Sequence, residues 1–251
     1  MSIFVIKYIY NIGGAMTNEP QGFHFKTNKK LALDNNALHS AFGMDARIRD
    51  YADKAKIPVE DVLKYCNIKA LYDSKVSKNQ LQLLAALFDN MKLAYNKELR
   101  IVITPTVLHE VYNNHIIFTP IKPNVFFQNY SVEHVAFDEH EQRLIDELTR
   151  DLLSPQKVTL MKNGFLYTKT EWAFEGNHNQ NHDHDARIFA ESIFAGVNLF
   201  TFDRDFEKKE LIYHTVKEFE KKHPETKGIS NFKILPDIQQ CNTQDQYIFE
   251  K

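Results

Sequence analysis

Cysteine is nearly missing from this chain: only Cys66 and Cys241 occur in 251 residues. Two cysteines so far apart match no zinc-ligand spacing and no disulfide framework, so they read as reduced thiols of a cytoplasmic protein. Glycine and proline are also sparse, with eight of each. That excludes collagen-like repeats and leaves no Gly- or Pro-rich linker to divide the chain. No apolar run approaches the roughly 20 residues needed to cross a bilayer. The stretch Ser2 to Tyr10 comes nearest, but Lys7 interrupts it and no basic region precedes it, so it does not read as a signal peptide. It reads as an added strand, or as a tail upstream of a true start at Met16. Neither sign of charge dominates: 31 Lys and Arg against 33 Asp and Glu give a net charge of -2 and a pI near 6.6. This balance argues against broad, non-specific coating of nucleic acid. It leaves local pairs such as Lys29-Lys30 and Lys208-Lys209 for phosphate contact, or as ordinary solvated surface.

What is present is enough apolar material, 43% of residues, for one substantial core. The expected organisation is an N-terminal extension over 1–28 and a single domain over 29–251, with a helical insertion at about 44–96 and a C-terminal helix and strand. Within the insertion, Met44 to Lys56, Pro58 to Tyr72 and Gln80 to Tyr95 read as helices, the last with a stripe of Leu81, Leu83, Leu84, Leu87 and Met91. Ile116 to Ser131 is aromatic and Pro-containing and reads as a loop or irregular hairpin. Glu139 to Leu153 reads as a polar helix, Lys157 to Thr168 as a hairpin around Asn163-Gly164, roughly Phe206 to Lys222 as a charged helix, and Phe232 to Leu235 as a last strand.

Acidic residues fall where this pattern changes. Lys30-Leu31-Ala32-Leu33-Asp34 is a short apolar run ending in a carboxylate, with a helix able to start just after it. Arg100 to Thr104 is a second β-branched run, stopped by Pro105; Thr104 and Pro105 stand where an N-cap and a first helical residue belong, and the helix that follows carries Glu110. Asn198 to Phe202 is a third run, ending in Asp203. The helix feeding it repeats Ala186, Phe189, Ala190, Ile193 and Phe194 at three- and four-residue steps, with Asp185 at its start. In an open parallel sheet, ligands bind outside the carboxyl ends of the strands. Asp34 and Asp203 are expected to reach one crevice there, joined by Glu110 and Asp185. Carboxylates gathered in this way repel one another and raise each other's pKa unless a divalent cation sits among them. Oxygen-only ligands suit Mg²⁺ or Mn²⁺, and such a centre supports metal-assisted hydrolysis of a phosphodiester.

These fragments resemble the PIN-domain nucleases. The resemblance rests on Leu33-Asp34-Asn35-Asn36-Ala37-Leu38, Thr104-Pro105 to Glu110, Asp185-Ala186-Arg187-Ile188 and Thr201-Phe202-Asp203-Arg204-Asp205-Phe206. It implies a three-layer α/β/α fold with a central parallel sheet, here carrying a helical insertion between the first and second strands. It also implies a cytoplasmic, Mg²⁺- or Mn²⁺-dependent endoribonuclease in which Asp34, Glu110, Asp185 and Asp203 are catalytic and bind the metal. Asn36 and Thr201 match the family's polar residues beside the first and last acids, and Asp205 matches a frequent further acid. The implied substrate is single-stranded or structured RNA; an antitoxin-like inhibitor and a second copy of the chain are further candidate partners. The chain departs from the family's short toxin ribonucleases in length: 75 residues lie between Asp34 and Glu110.

Three segments carry rival readings. Asn177 to Asp185 holds His178, His182, His184, Asp183 and Asp185, which as an extended segment offers zinc ligands, as a polar loop simply leads into a helix, and as a crevice mouth contacts phosphate or a second metal. Asp183 competes with Asp185 for the family position, and Ala186-Arg187-Ile188 favours Asp185. Phe126, Phe127 and Tyr130 are either core packing or stacking surfaces for single-stranded bases. At the level of function, the alternatives are a catalytically silent PIN-like module that binds RNA or protein, and an α/β phosphatase using Asp34 as phosphoacceptor. The phosphatase pattern calls for a second Asp where this chain has Asn36.

Overall fold

Runs such as Leu31-Ala32-Leu33 and Ile101-Val102-Ile103, apolar at every position, form strands buried on both faces, as a helix-covered parallel sheet requires. A computed structural model describes residues 30–72, 76–113, 123–162, 164–174, 180–203, 206, 208–236 and 245–249. The expected N-terminal extension, His178, Asp205 and Cys241 lie outside these residues.

The chain is an α/β protein with a five-stranded parallel sheet flanked by helices. Its strand order is β3-β2-β1-β6-β7, where β1 is Lys30–Leu33, β2 Arg100–Ile103, β3 Val132–His134, β6 Asn198–Phe200 and β7 Ile234–Leu235. Two compact units divide the chain, Met1–Ile103 with His109–His134 and Thr104–Leu108 with Val135–Lys251.

In the first unit, β1 pairs in parallel with β2 (Leu31 opposite Ile101) and β2 with β3 (Ile101 opposite Val132). Among the described residues, four helices connect β1 to β2: α1 Asn35–Ala55, α2 Val59–Tyr65, α3 Ile68–Leu71 and α4 Lys78–Tyr95. The insertion therefore starts as soon as β1 ends. Along α1, Ala37, Leu38, Ala41, Met44, Ile48 and Ala52 recur at three- and four-residue steps and are all buried. The helix stops at Lys56, which takes the left-handed conformation and donates its N–H back to Ala52 and Asp53. The expected helix from Pro58 to Tyr72 is two helices. Asn67 breaks it, because its side chain caps the second piece by accepting from the Lys69 N–H at 3.0 Å. Ser77 and Gln80 form a capping box at the start of α4.

The segment expected to be a loop up to Ser131 holds helix α6, Pro123–Asn129, and leads directly into β3. Two of its aromatics, Phe126 and Tyr130, are core residues, and Phe127 is half-buried: Phe126 stacks on Tyr130 at 4.4 Å and meets the edge of Phe42 at 5.1 Å. Phe126 and Tyr130 are buried, so they offer no platform to a base. The Tyr130 hydroxyl donates to Asp45 at 2.9 Å, and Arg49 donates to the same carboxylate through Nε and Nη2. Burial, then the Asp45 charge, pushes the Tyr130 phenol well above its ordinary value.

The second unit holds α7, Glu139–Leu153, opened by an Asp138/Glu141 capping box; a hairpin of β4, Gln156–Lys162, and β5, Phe165–Glu171; α8, Gln180–Phe194; and α9, Lys209–Lys222. The hairpin has the expected turn, with Gly164 at φ +82°. A further strand, β8 at Asp245–Ile248, pairs antiparallel with β4, and β6 pairs in parallel with β7. Phe174, Phe189, Phe206 and Phe232 form the aromatic centre of this unit, with Phe174 and Phe206 5.1 Å apart and Phe189 and Phe232 4.9 Å apart. No helix among the described residues is long and apolar enough to cross a membrane.

Candidate functional site

Asp34 follows the last residue of β1 and is the N-cap of α1, only 2% exposed. Its Oδ1 accepts the Ala37 N–H at 2.6 Å, and its carbonyl accepts from the Leu38 N–H at 2.9 Å. The local sequence accounts for this: an apolar strand runs out at a short acceptor side chain, and helix-forming residues follow at once. Asn36, in the first turn of α1, is exposed.

Glu110 lies on α5, Pro105–Asn113, and is half-buried. Thr104 occupies the N-cap place expected of it, its carbonyl accepting from the Leu108 N–H at 2.9 Å. Its side chain does not do the capping: Thr104 Oγ1 is buried without a hydrogen-bond partner. The first-turn N–H of Thr106 is satisfied by Glu191 of α8, whose Oε2 accepts it at 3.0 Å while Oε1 accepts the Thr106 hydroxyl at 2.8 Å. No sequence motif marks Glu191; its signal in the sequence is its place in Ile188-Phe189-Ala190-Glu191-Ser192-Ile193, a stretch too apolar to offer a glutamate a solvated face, and all six residues are buried.

Asp203 comes three residues after the end of β6. Thr201, 6% exposed, donates its N–H to the Leu235 carbonyl at 2.8 Å and accepts the Asp203 N–H on its hydroxyl oxygen at 2.8 Å. This turn fixes the backbone from which the half-buried Asp203 side chain leaves.

Asp185 is half-buried, and α8 begins five residues before it, at Gln180. His182, Asp183, His184 and Asp185 are therefore helical, which corrects both the expected helix start at Asp185 and the extended geometry that zinc binding by alternating histidines needs. Asp183 is exposed and His184 half-buried.

Carboxylate oxygens are hard donors, the type that Mg²⁺ and Mn²⁺ take. The structure puts Asp34 and Glu110 in the first unit and Asp185 and Asp203 in the second. Among the described residues, no group of three or more His, Cys, Asp or Glu side chains is arranged to hold a metal ion. No family model matches the chain, and no curated protein matches it.

Proposed function

We propose that this chain is a metal-dependent endoribonuclease that hydrolyses RNA phosphodiester bonds, with Asp34, Glu110, Asp185 and Asp203 holding Mg²⁺ or Mn²⁺. The observation that supports this most is the burial of Asp34 at the carboxyl end of a parallel strand. Capping needs only an oxygen acceptor, and Asn or Ser supplies one as well as Asp does. The cap and the helix dipole favour an acidic acceptor at Asp34 without requiring one, whereas a divalent cation requires the carboxylate. Asp203 supports the reading in the same way, since it too follows a parallel strand and its backbone is held by Thr201. A bound cation supplies a more acidic water as nucleophile and offsets charge on the phosphorus and leaving oxygens. The chain's own part is positional: the Ala37 N–H orients Asp34, and the Thr201 hydroxyl orients Asp203.

Cleavage of single-stranded and structured RNA in Mg²⁺ or Mn²⁺ tests the proposal, comparing the wild type with Asp34→Asn and Asp203→Asn. Loss of cleavage in both variants, with folding retained, is the expected result. Activity that survives both changes sinks the mechanism. Absence of Mn²⁺ binding in a titration of the wild type leaves a catalytically silent RNA- or protein-binding module.

A further inference from the structure

Glu191 is 1% exposed, and a buried carboxylate persists only where its charge is matched and its oxygens are hydrogen-bonded. Both conditions are met within the second unit. Arg187, one turn earlier on α8, places Nε 3.3 Å from Glu191 Oε1 and is itself held by Asp146 of α7, Nη1 to Oδ1, at 2.7 Å. The remaining bonds go to the N–H and hydroxyl of Thr106 in the first turn of α5. A carboxylate at that end also complements the positive end of the helix dipole. The cap of α5 therefore comes from a side chain 85 residues away in sequence, while the adjacent Thr104 hydroxyl makes no bond at all.

Two bonds to one residue fix a helix in rotation as well as along its axis. Thr106 and Glu110 are four residues apart on α5 and so share a face. We infer that Glu191 is a positioning residue: through Thr106, and braced by Arg187, it sets the orientation in which α5 presents Glu110. The inference rests on the ribonuclease reading, in which Glu110 is a metal ligand. Displacing a catalytic group by about 1 Å costs on the order of 10²-fold in rate. Removing groups that orient a metal ligand typically costs roughly 10–100-fold in metal affinity or activity.

The test compares wild type, Glu191→Gln, Thr106→Val and Thr106→Ser in the full chain. It reads the Kd for Mn²⁺ by titration, kcat and KM on single-stranded RNA, and the melting temperature. The expected result for Glu191→Gln and Thr106→Val is a Mn²⁺ Kd raised, and a kcat lowered, by roughly 10–100-fold with KM unchanged. Thr106→Ser, which keeps the hydroxyl, recovers most of what Thr106→Val loses. If Glu191→Gln does not fold, Thr106→Val carries the test alone, because it leaves the carboxylate and Arg187 in place. Folded variants whose Mn²⁺ Kd and kcat equal those of an active wild type overturn the inference and leave Glu191 a helix cap, visible only in the melting temperature. A wild type that neither binds Mn²⁺ nor cleaves RNA overturns the ribonuclease reading itself, and the positioning role with it.

Discussion

At Asp34 a helix cap and a proposed metal ligand are the same carboxylate, and two substitutions separate the roles. Asp34→Asn keeps an oxygen that can accept the Ala37 N–H, so it should leave the melting temperature nearly unchanged while RNA cleavage is lost. Asp34→Ala removes the cap as well and should lower stability by about 0.5–2 kcal/mol in a denaturant titration. Equal destabilisation by both would show that the charge, not the acceptor, holds the start of α1. Tyr130 gives a second test at this scale. Its hydroxyl donates to the buried Asp45 carboxylate, and hydrogen bonds to charged groups contribute about 1.5–3 kcal/mol. Tyr130→Phe should lose an amount in that range by urea unfolding; no loss would mean that Arg49 alone satisfies Asp45. Asp34 was legible in the sequence because strand, acid and helix are consecutive. Glu191 and the Asp45–Tyr130 bond were not, since each partner lies 85 residues away and no local pattern couples them.

Among the elements, the two apolar runs before Asp34 and Glu110 and the long amphipathic helices followed directly from periodicity. Departures arose where a single side chain or a short segment decided the outcome. Asn67 splits one expected helix into α2 and α3 by capping the second. The start of α8 moves forward to Gln180, over polar residues whose pattern carries no apolar stripe. Strand β3, three residues reading Val-Glu-His, is too short and too polar to show a strand period; its pairing with β2 makes it a strand. The aromatic segment before it reads ambiguously until α6 is folded, when Phe126 becomes 1% exposed against Phe42 and Tyr130. Phe126→Ala should therefore cost about 3–5 kcal/mol by thermal or urea unfolding. A change well under 1 kcal/mol would place the ring outside the core of the first unit.

At the scale of the whole molecule, several carboxylates are held below their ordinary values. Glu133 is lowered by hydrogen bonds from Lys30 and then Arg100, Asp138 by the Glu141 N–H, and Glu218 by Lys221. For a depressed carboxylate the unfolded chain binds more protons between the two pKa values, so the stabilisation is present above the unfolded value and is lost as pH falls through the folded one. The melting temperature should decline as pH falls below about 4.5, the ordinary glutamate value, and Glu133→Gln should make that decline shallower. An unchanged acid profile in Glu133→Gln would show that its two ion pairs are screened out in solution. Although the apolar run extends to Phe202, β6 stops at Phe200 and Asp203 lies beyond it; the amino-acid sequence by itself determined the α/β class, the strand end that carries Asp34, the hairpin turn at Gly164 and the major helices. Each of these follows from contiguous residues: apolar period, cap and turn. Tertiary structure alone decided the strand order, the burial of Phe126 and Tyr130 and the capping of α5 by Glu191. Those depend on partners distant in the chain, and a buried charge or hydroxyl is satisfied by whichever group the fold brings to it.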